Sequence, residues 1–101
     1  MRFLIDVEFP AEPFNTYVRE GSAASKMQSV LAAIRPEAAY FLARDGKRGG
    51  TLVVNMENTS DIPGIAEPLF LTFNASVQFH PAMTVEDLGK ANLDAIGKKW
   101  Q

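Results

Sequence analysis

Apolar and polar residues alternate from the start of the chain. Phe3, Ile5, Val7 and Phe9 fall on one side and Leu4, Asp6 and Glu8 on the other, the period-two signature of a strand with one apolar and one mixed face. Pro10 ends it. From Pro13 the period changes: Phe14, Tyr17, Val18, Ala23, Met27, Val30, Leu31 and Ile34 recur at three- and four-residue steps, a helical apolar stripe. Gly21 and Ser22 bend or split that helix, because glycine in a helix interior costs about 1 kcal/mol relative to alanine. Pro36 stops it and biases Arg35 away from helical angles. A second strand is expected over residues 38–44. The run Asp45-Gly46-Lys47-Arg48-Gly49-Gly50 is dense in turn formers, and residues 51–57 resume an alternating, β-branched pattern, so the pair reads as a hairpin.

Asn58 to Asp61 supplies N-cap candidates, and Pro63 falls in the first turn of a second helix, where its missing N–H matters least. Ile62, Ile65, Ala66, Leu69 and Phe73 share one face of it, with Pro68 expected to kink it or start a new turn. Residues 75–80 alternate Val77 and Phe79 against Ser76, Gln78 and His80, a fourth strand closed by Pro81. Thr84-Val85-Glu86-Asp87 resembles a capping box with Asp in place of Glu, and Leu88, Asn92, Ile96 and Trp100 fall on one side of a C-terminal helix. Lys98 and Lys99 sit at its negative end.

Strand, helix, two-stranded hairpin, helix, strand and an extra terminal helix is the ferredoxin-like βαββαβ order: an α+β fold with a four-stranded antiparallel sheet. With 101 residues the chain holds one domain, residues 1–101. Both helices must pack on one sheet face, which Phe3, Ile5, Val7 and Phe9 would meet if strands one and three are central. The opposite face would carry Leu4, Asp6 and Glu8, then Asn55 and Glu57 or Leu52, Val54 and Met56, with Tyr40 or Phe41, and Gln78 and His80. Such a face is too apolar to be left wet and too polar to be a sealed core. A second copy facing it, with a partly polar cavity between, satisfies both.

Composition narrows the partners. Twelve acidic against ten basic residues give a net charge of −2, which offers no field to draw nucleic acid. No cysteine is present, which removes disulfide, thiolate and zinc-finger chemistry. No apolar run approaches the roughly 20 residues that cross a bilayer, and Asp6 and Glu8 interrupt any signal-peptide core, so a cytoplasmic protein without membrane attachment is expected. At this size only about two-thirds of the unfolded chain's surface is buried on folding, so a partner subunit would add stability.

Ile62-Pro63 to Ala66-Glu67-Pro68-Leu69-Phe70, leading into Ala75-Ser76-Val77-Gln78-Phe79-His80-Pro81, resembles the second half of proteins in the dimeric α+β barrel superfamily, among them muconolactone isomerase-like proteins. The order of elements extends the likeness over nearly the whole chain, but the motif itself concerns packing. The resemblance implies a homodimer whose sheets face each other, with a ligand between sheet and helices or inside the barrel.

His80 is the only histidine and so the one side chain whose ordinary titration lies near neutrality. Beside Asp6 or Glu8 it would be a carboxylate-oriented general base for removing a proton next to a carbonyl; otherwise it is an exposed strand-end residue. Asp6 and Glu8 lie about 7 Å apart on one side of a strand, close enough to share a site; alternatively they are solvated, or pair with Arg2, Arg44 or an arginine across the dimer. One histidine and two carboxylates have the composition of a facial triad, yet residue types alone support it and no metal or other cofactor is expected. Tyr40, Asn55, Glu57 and Gln78 could hydrogen-bond a small organic ligand. The glycines and cations of residues 45–50 could form a phosphate nest, though a plain turn explains them better. The Met27 stripe and the Leu69, Phe70 and Phe73 cluster read as core, and Trp100 as packed on a partner or stapling the last helix. The functional expectation is a cofactor-independent isomerase, cyclase or lyase with His80 as proton shuttle and Asp6 or Glu8 orienting it. The alternatives are a non-catalytic dimeric module that binds a metabolite or a protein, or a face filled by the partner's side chains.

Overall fold

The Phe3 to Phe9 alternation becomes strand β1 (Arg2–Phe9) in the computed structural model, which describes all 101 residues. Helices α1 (Ala11–Glu20) and α2 (Ala23–Ile34) follow, then β2 (Ala38–Arg44), β3 (Lys47–Asn55), a single 3₁₀ turn at Thr59–Asp61, α3 (Ile62–Phe73), β4 (Ser76–Ala82), α4 (Val85–Lys90) and α5 (Leu93–Lys99). The four strands form one antiparallel sheet in the order β2-β3-β1-β4, so the fold is α+β and ferredoxin-like with β1 and β3 central.

Each break in helical periodicity has a local cause. Regular helix in α1 begins only after Glu12, which is extended, and it ends at Gly21, whose φ of 77° is left-handed. The amides of Gly21 and Ser22 turn back onto the carbonyls of Val18 and Tyr17, so one apolar stripe becomes two helices. Arg35 closes α2 and Asn74 closes α3 in the same left-handed region, each with φ of 55°. Pro68 lies inside α3 without ending it; the helix forgoes only the bond its N–H would have made to Gly64.

Odd-numbered residues of β1 face the helices. Ile5, Val7 and Phe9 are buried there with Leu52, Val54 and Met56 of and after β3, which settles the register in favour of Asn55 on the opposite face. An aromatic cluster locks the helices to the sheet: Phe73 stacks on Phe14 at 5.1 Å and meets Phe9 and Tyr17 edge-on at 5.3 and 5.8 Å. The Tyr17 hydroxyl donates to the Thr72 carbonyl at 2.7 Å, tying α1 to α3.

Four expectations change. The turn occupies only Asp45 and Gly46, with φ of 53° and 74°, and residues 47–50 belong to β3. Positive φ at both central positions is the two-residue hairpin geometry that Asp-Gly favours. Gly49 and Gly50 are strand residues at close approaches: a Cβ on Gly50 would stand 3.0 Å from the Tyr40 carbonyl oxygen and 3.1 Å from the Phe41 ring. β4 runs through Pro81 to Ala82, because an edge strand tolerates a residue without an N–H. Phe70 is 41% exposed, on the outer side of α3, whereas Leu69 and Phe73 are core. The single C-terminal helix is two, because Asn92 adopts a left-handed φ of 54° and caps α5 through the Ala95 amide instead of extending an apolar face.

The capping box at Thr84 forms in both directions, with 3.1 Å bonds between Thr84 and Asp87. Beyond it α4 and α5 make an arm along which Val85, Leu88, Leu93, Ile96 and Trp100 are all exposed. The arm draws the molecule out to 60 × 28 × 18 Å with a radius of gyration of 17.1 Å, against about 13 Å for a compact chain of this length.

Removing the Phe73 ring should cost about 3–5 kcal/mol in urea unfolding, because it is fully buried at the meeting point of α1, α3 and β1. Gly50→Val should destabilise by about 1–3 kcal/mol through overpacking. Gly64→Ala is the control: its added Cβ meets nothing within 4 Å, and it should stabilise α3 by about 0.5–1 kcal/mol.

Candidate functional site

The sheet face away from the helices is open, and strand pairing arranges it in transverse rows. Tyr40, Thr51, Asp6 and Gln78 face one another across β2, β3, β1 and β4; Ala38, Val53, Leu4 and His80 form the next row. Asp6 is therefore at the centre of the sheet, with His80 diagonal to it on the edge strand.

The two oxygens of Asp6 have different partners. Oδ1 accepts the Thr51 hydroxyl at 2.9 Å and lies 3.2 Å from the Arg44 guanidinium, which itself donates to Thr51 Oγ1 at 3.2 Å. Oδ2 faces His80 Nε2 at 3.4 Å, within ion-pair distance though not hydrogen-bonded. Partial burial, the largest single influence on Asp6, opposes its charge. The Thr51 hydrogen bond and the Arg44 charge together outweigh it, with a smaller contribution from His80, and hold the carboxyl below its ordinary 3.8. Asp6 is thus a fixed anion that can orient an imidazole but is a poor proton acceptor at neutral pH.

Sequence-based candidates divide on this geometry. His80 and Asp6 come together with Gln78 directly beside Asp6, whereas Tyr40 is on the same face but two strands from Asp6, with Thr51 between them. Glu8 is on that face but pairs with Lys47 Nζ at 3.4 Å near the hairpin end, so the carboxylate beside His80 is Asp6 alone. Asn55 is in the Arg2 row, two rows from Asp6, where its Oδ1 accepts from the Met1 amino group at 3.0 Å. Glu57 follows β3 in an exposed loop and is not on the face. Thr51 was not among the candidates. Counting outward from the Asp45-Gly46 turn, which pairs Arg44 with Lys47 and hence Tyr40 with Thr51, would have found it. No three His, Asp or Glu side chains converge as a metal site.

Two grooves lie elsewhere. One of about 610 Å³ runs between α1, α2 and the β2–β3 hairpin, walled by Phe14, Met27 and Phe41; the other, about 910 Å³ and more polar, is at the strand ends around Glu8, Asn15 and Ser76. Neither includes Asp6 or His80, whose imidazole is 52% exposed. The face has side chains for chemistry but no wall opposite them. No protein-family model matches the chain, and no curated protein matches it significantly in sequence. No helix is long and apolar enough to cross a membrane.

Folding depends on pH through Asp6 with a definite sign. A carboxyl lowered in the folded state binds its proton less readily than in the unfolded chain, so its stabilisation is present above pH 3.8 and is lost as pH falls through the lowered folded value. In urea titrations the gap between wild type and Asp6→Asn should be present at about pH 5 and shrink below about pH 4. A gap independent of pH would assign Asp6 a packing role instead.

Proposed function

We propose that the open sheet face is a proton-transfer site of a cofactor-independent isomerase or lyase acting on small lactones or keto acids, enclosed when the sheet of a second copy faces it. The observation that carries the reading is the 3.4 Å approach of His80 to an Asp6 anchored by Thr51 and Arg44. With the Nε2 proton directed at Asp6, Nδ1 is left as the acceptor. It would take a proton from the carbon next to a carbonyl, the electron pair passing into the carbonyl as an enolate, and return the proton at a more distant carbon of the conjugated system. Gln78, directly beside Asp6 on the strand that carries His80, would supply a donor for the enolate oxygen.

The dimer part of the reading is supported by apolar surface the chain leaves uncovered. Leu4, Tyr40 and Leu42 are exposed on the face, and the arm from Met83 to Trp100 carries six exposed large apolar side chains. A cytoplasmic homodimer resembling the muconolactone isomerase-like proteins would cover both. Light scattering at micromolar concentration should give twice the 11.1 kDa chain mass; a monomer would leave the site without its opposite wall and remove the proposal's basis.

Catalysis is tested by following deuterium wash-in at the ring carbons of α-angelica lactone by proton NMR. His80→Gln should slow the exchange by about 10²–10⁴-fold, the usual contribution of a positioned acid–base group. Asp6→Asn should lower kcat with less effect on KM, and Glu8→Gln should leave both unchanged within about two-fold, since an exposed ion pair contributes little. A second reading, a non-catalytic metabolite-binding or protein-interaction module, is favoured by the absence of Asp6 and His80 from either groove. It predicts saturable ligand binding with no wash-in for any lactone or keto acid tried.

A further inference from the structure

The groove between the α1–α2 corner and the β2–β3 hairpin has two features that a solvent-filled surface crease lacks. Its wall is predominantly apolar, built from Phe14, Ala24, Met27, Phe41 and Ala43, and its volume of about 610 Å³ lies within the roughly 300–1,000 Å³ of small-molecule sites. At its rim stands Arg48, whose guanidinium lies over the Phe14 ring at 4.5 Å and donates to Asn15 Oδ1 at 2.7 Å. Those two contacts hold the cation against the apolar wall. Asn15 is neutral and engages one of five N–H donors, and Arg48 forms no salt bridge. Lys47 pairs with Glu8 at 3.4 Å, and Glu12 accepts from the Thr16 hydroxyl at 2.6 Å and lies 3.7 Å from Arg19; the Glu12 carboxylate also feels the Arg48 charge, but forms no ion pair with it.

We infer that this groove binds an amphipathic carboxylate, with the acyl or aryl body between Met27 and Phe41 and the carboxylate on Arg48. An apolar trough with one anchored guanidinium that has no salt-bridge partner at its end complements one apolar body with one anion, and arginine's planar fork matches a carboxylate in two parallel bonds. The glycines of the hairpin contribute room. Gly46 and Gly49 border the groove, and Gly50, opposite Phe41, lets that ring lie flat beside the strand. The groove shares no residue with the Asp6, Thr51, Arg44 and His80 cluster, so the inference stands independently of the proton-transfer reading.

Octanoate and its uncharged analogue octan-1-ol are the probes, titrated into the 101-residue chain and followed by heteronuclear NMR. Octanoate should shift resonances of Phe14, Met27 and Phe41 and bind at least about ten-fold more tightly than the alcohol, the difference expected for a charge-assisted pair. Arg48→Gln should bring octanoate down to the alcohol's affinity. Ala24→Trp, which fills the trough, should abolish binding of both while leaving the thermal unfolding midpoint near wild type. His80→Gln should leave octanoate binding intact. Equal affinity for acid and alcohol, or an Arg48→Gln variant that binds octanoate as wild type does, would overturn the inference. So would octanoate binding that arises only in a Leu93→Asp, Ile96→Asp double variant, since the occupant would then be the C-terminal arm of another copy.

Discussion

Strand β1 is bonded on both sides, to β3 and to β4, and its side chains alternate with a period of two. Ile5, Val7 and Phe9 fill the core while Leu4, Asp6 and Glu8 line the open face, so core and candidate site are set by one register and cannot move independently. A slip of one residue would place Asp6 among Leu52, Val54 and Phe73 and expel Ile5 to water. The apolar side forbids that slip, since burying an unpaired carboxylate costs far more than any contact on the open face returns. The position of Asp6 beside Thr51 and His80 is thus fixed by hydrophobic burial on the opposite side of the sheet.

The forces that stabilise the fold and those that shape the face are different in kind. Phe73, fully buried against Phe9, Phe14 and Tyr17, joins sheet and helices through area and ring geometry. The ion pairs Arg2–Glu37, Arg44–Asp6 and Lys47–Glu8 are all substantially exposed, and such pairs add about 0–1 kcal/mol each. Their effect is positional: Arg44 and Thr51 fix one oxygen of Asp6 and leave the other towards His80.

The order of elements and the sidedness of β1 were legible because each rests on periodicity, which a chain displays directly. The split of the first helix was legible at Gly21 for the same reason: one residue type has one strong backbone preference there. Register was less so. Residues 45–50 look uniformly turn-like, yet only Asp45 and Gly46 turn, because Gly49 and Gly50 serve close packing by Val7, Tyr40 and Phe41 from neighbouring strands. That ambiguity hid Thr51, left Glu57 on the face, and let Glu8 compete with Asp6 for His80. Asn92 shows the same limit, since its spacing fits an apolar helix face while its left-handed backbone ends one helix and caps the next. The Arg48 site depends on three separate elements meeting, which no local pattern records.

Pro81 lies on the outer edge strand β4, and the opposite edge, β2, runs from Ala38 to Arg44 without a proline. A sheet edge recruits an extended peptide through its free N–H and C=O groups, and a proline lacks the donor that such recruitment needs. The two borders of this sheet are therefore unequal. The β4 border is interrupted at the end where the arm departs, while the β2 border, with Phe41 and Leu42 half exposed beside it, presents a continuous backbone. A fifth strand added to this sheet would meet an uninterrupted row of backbone partners only beside β2.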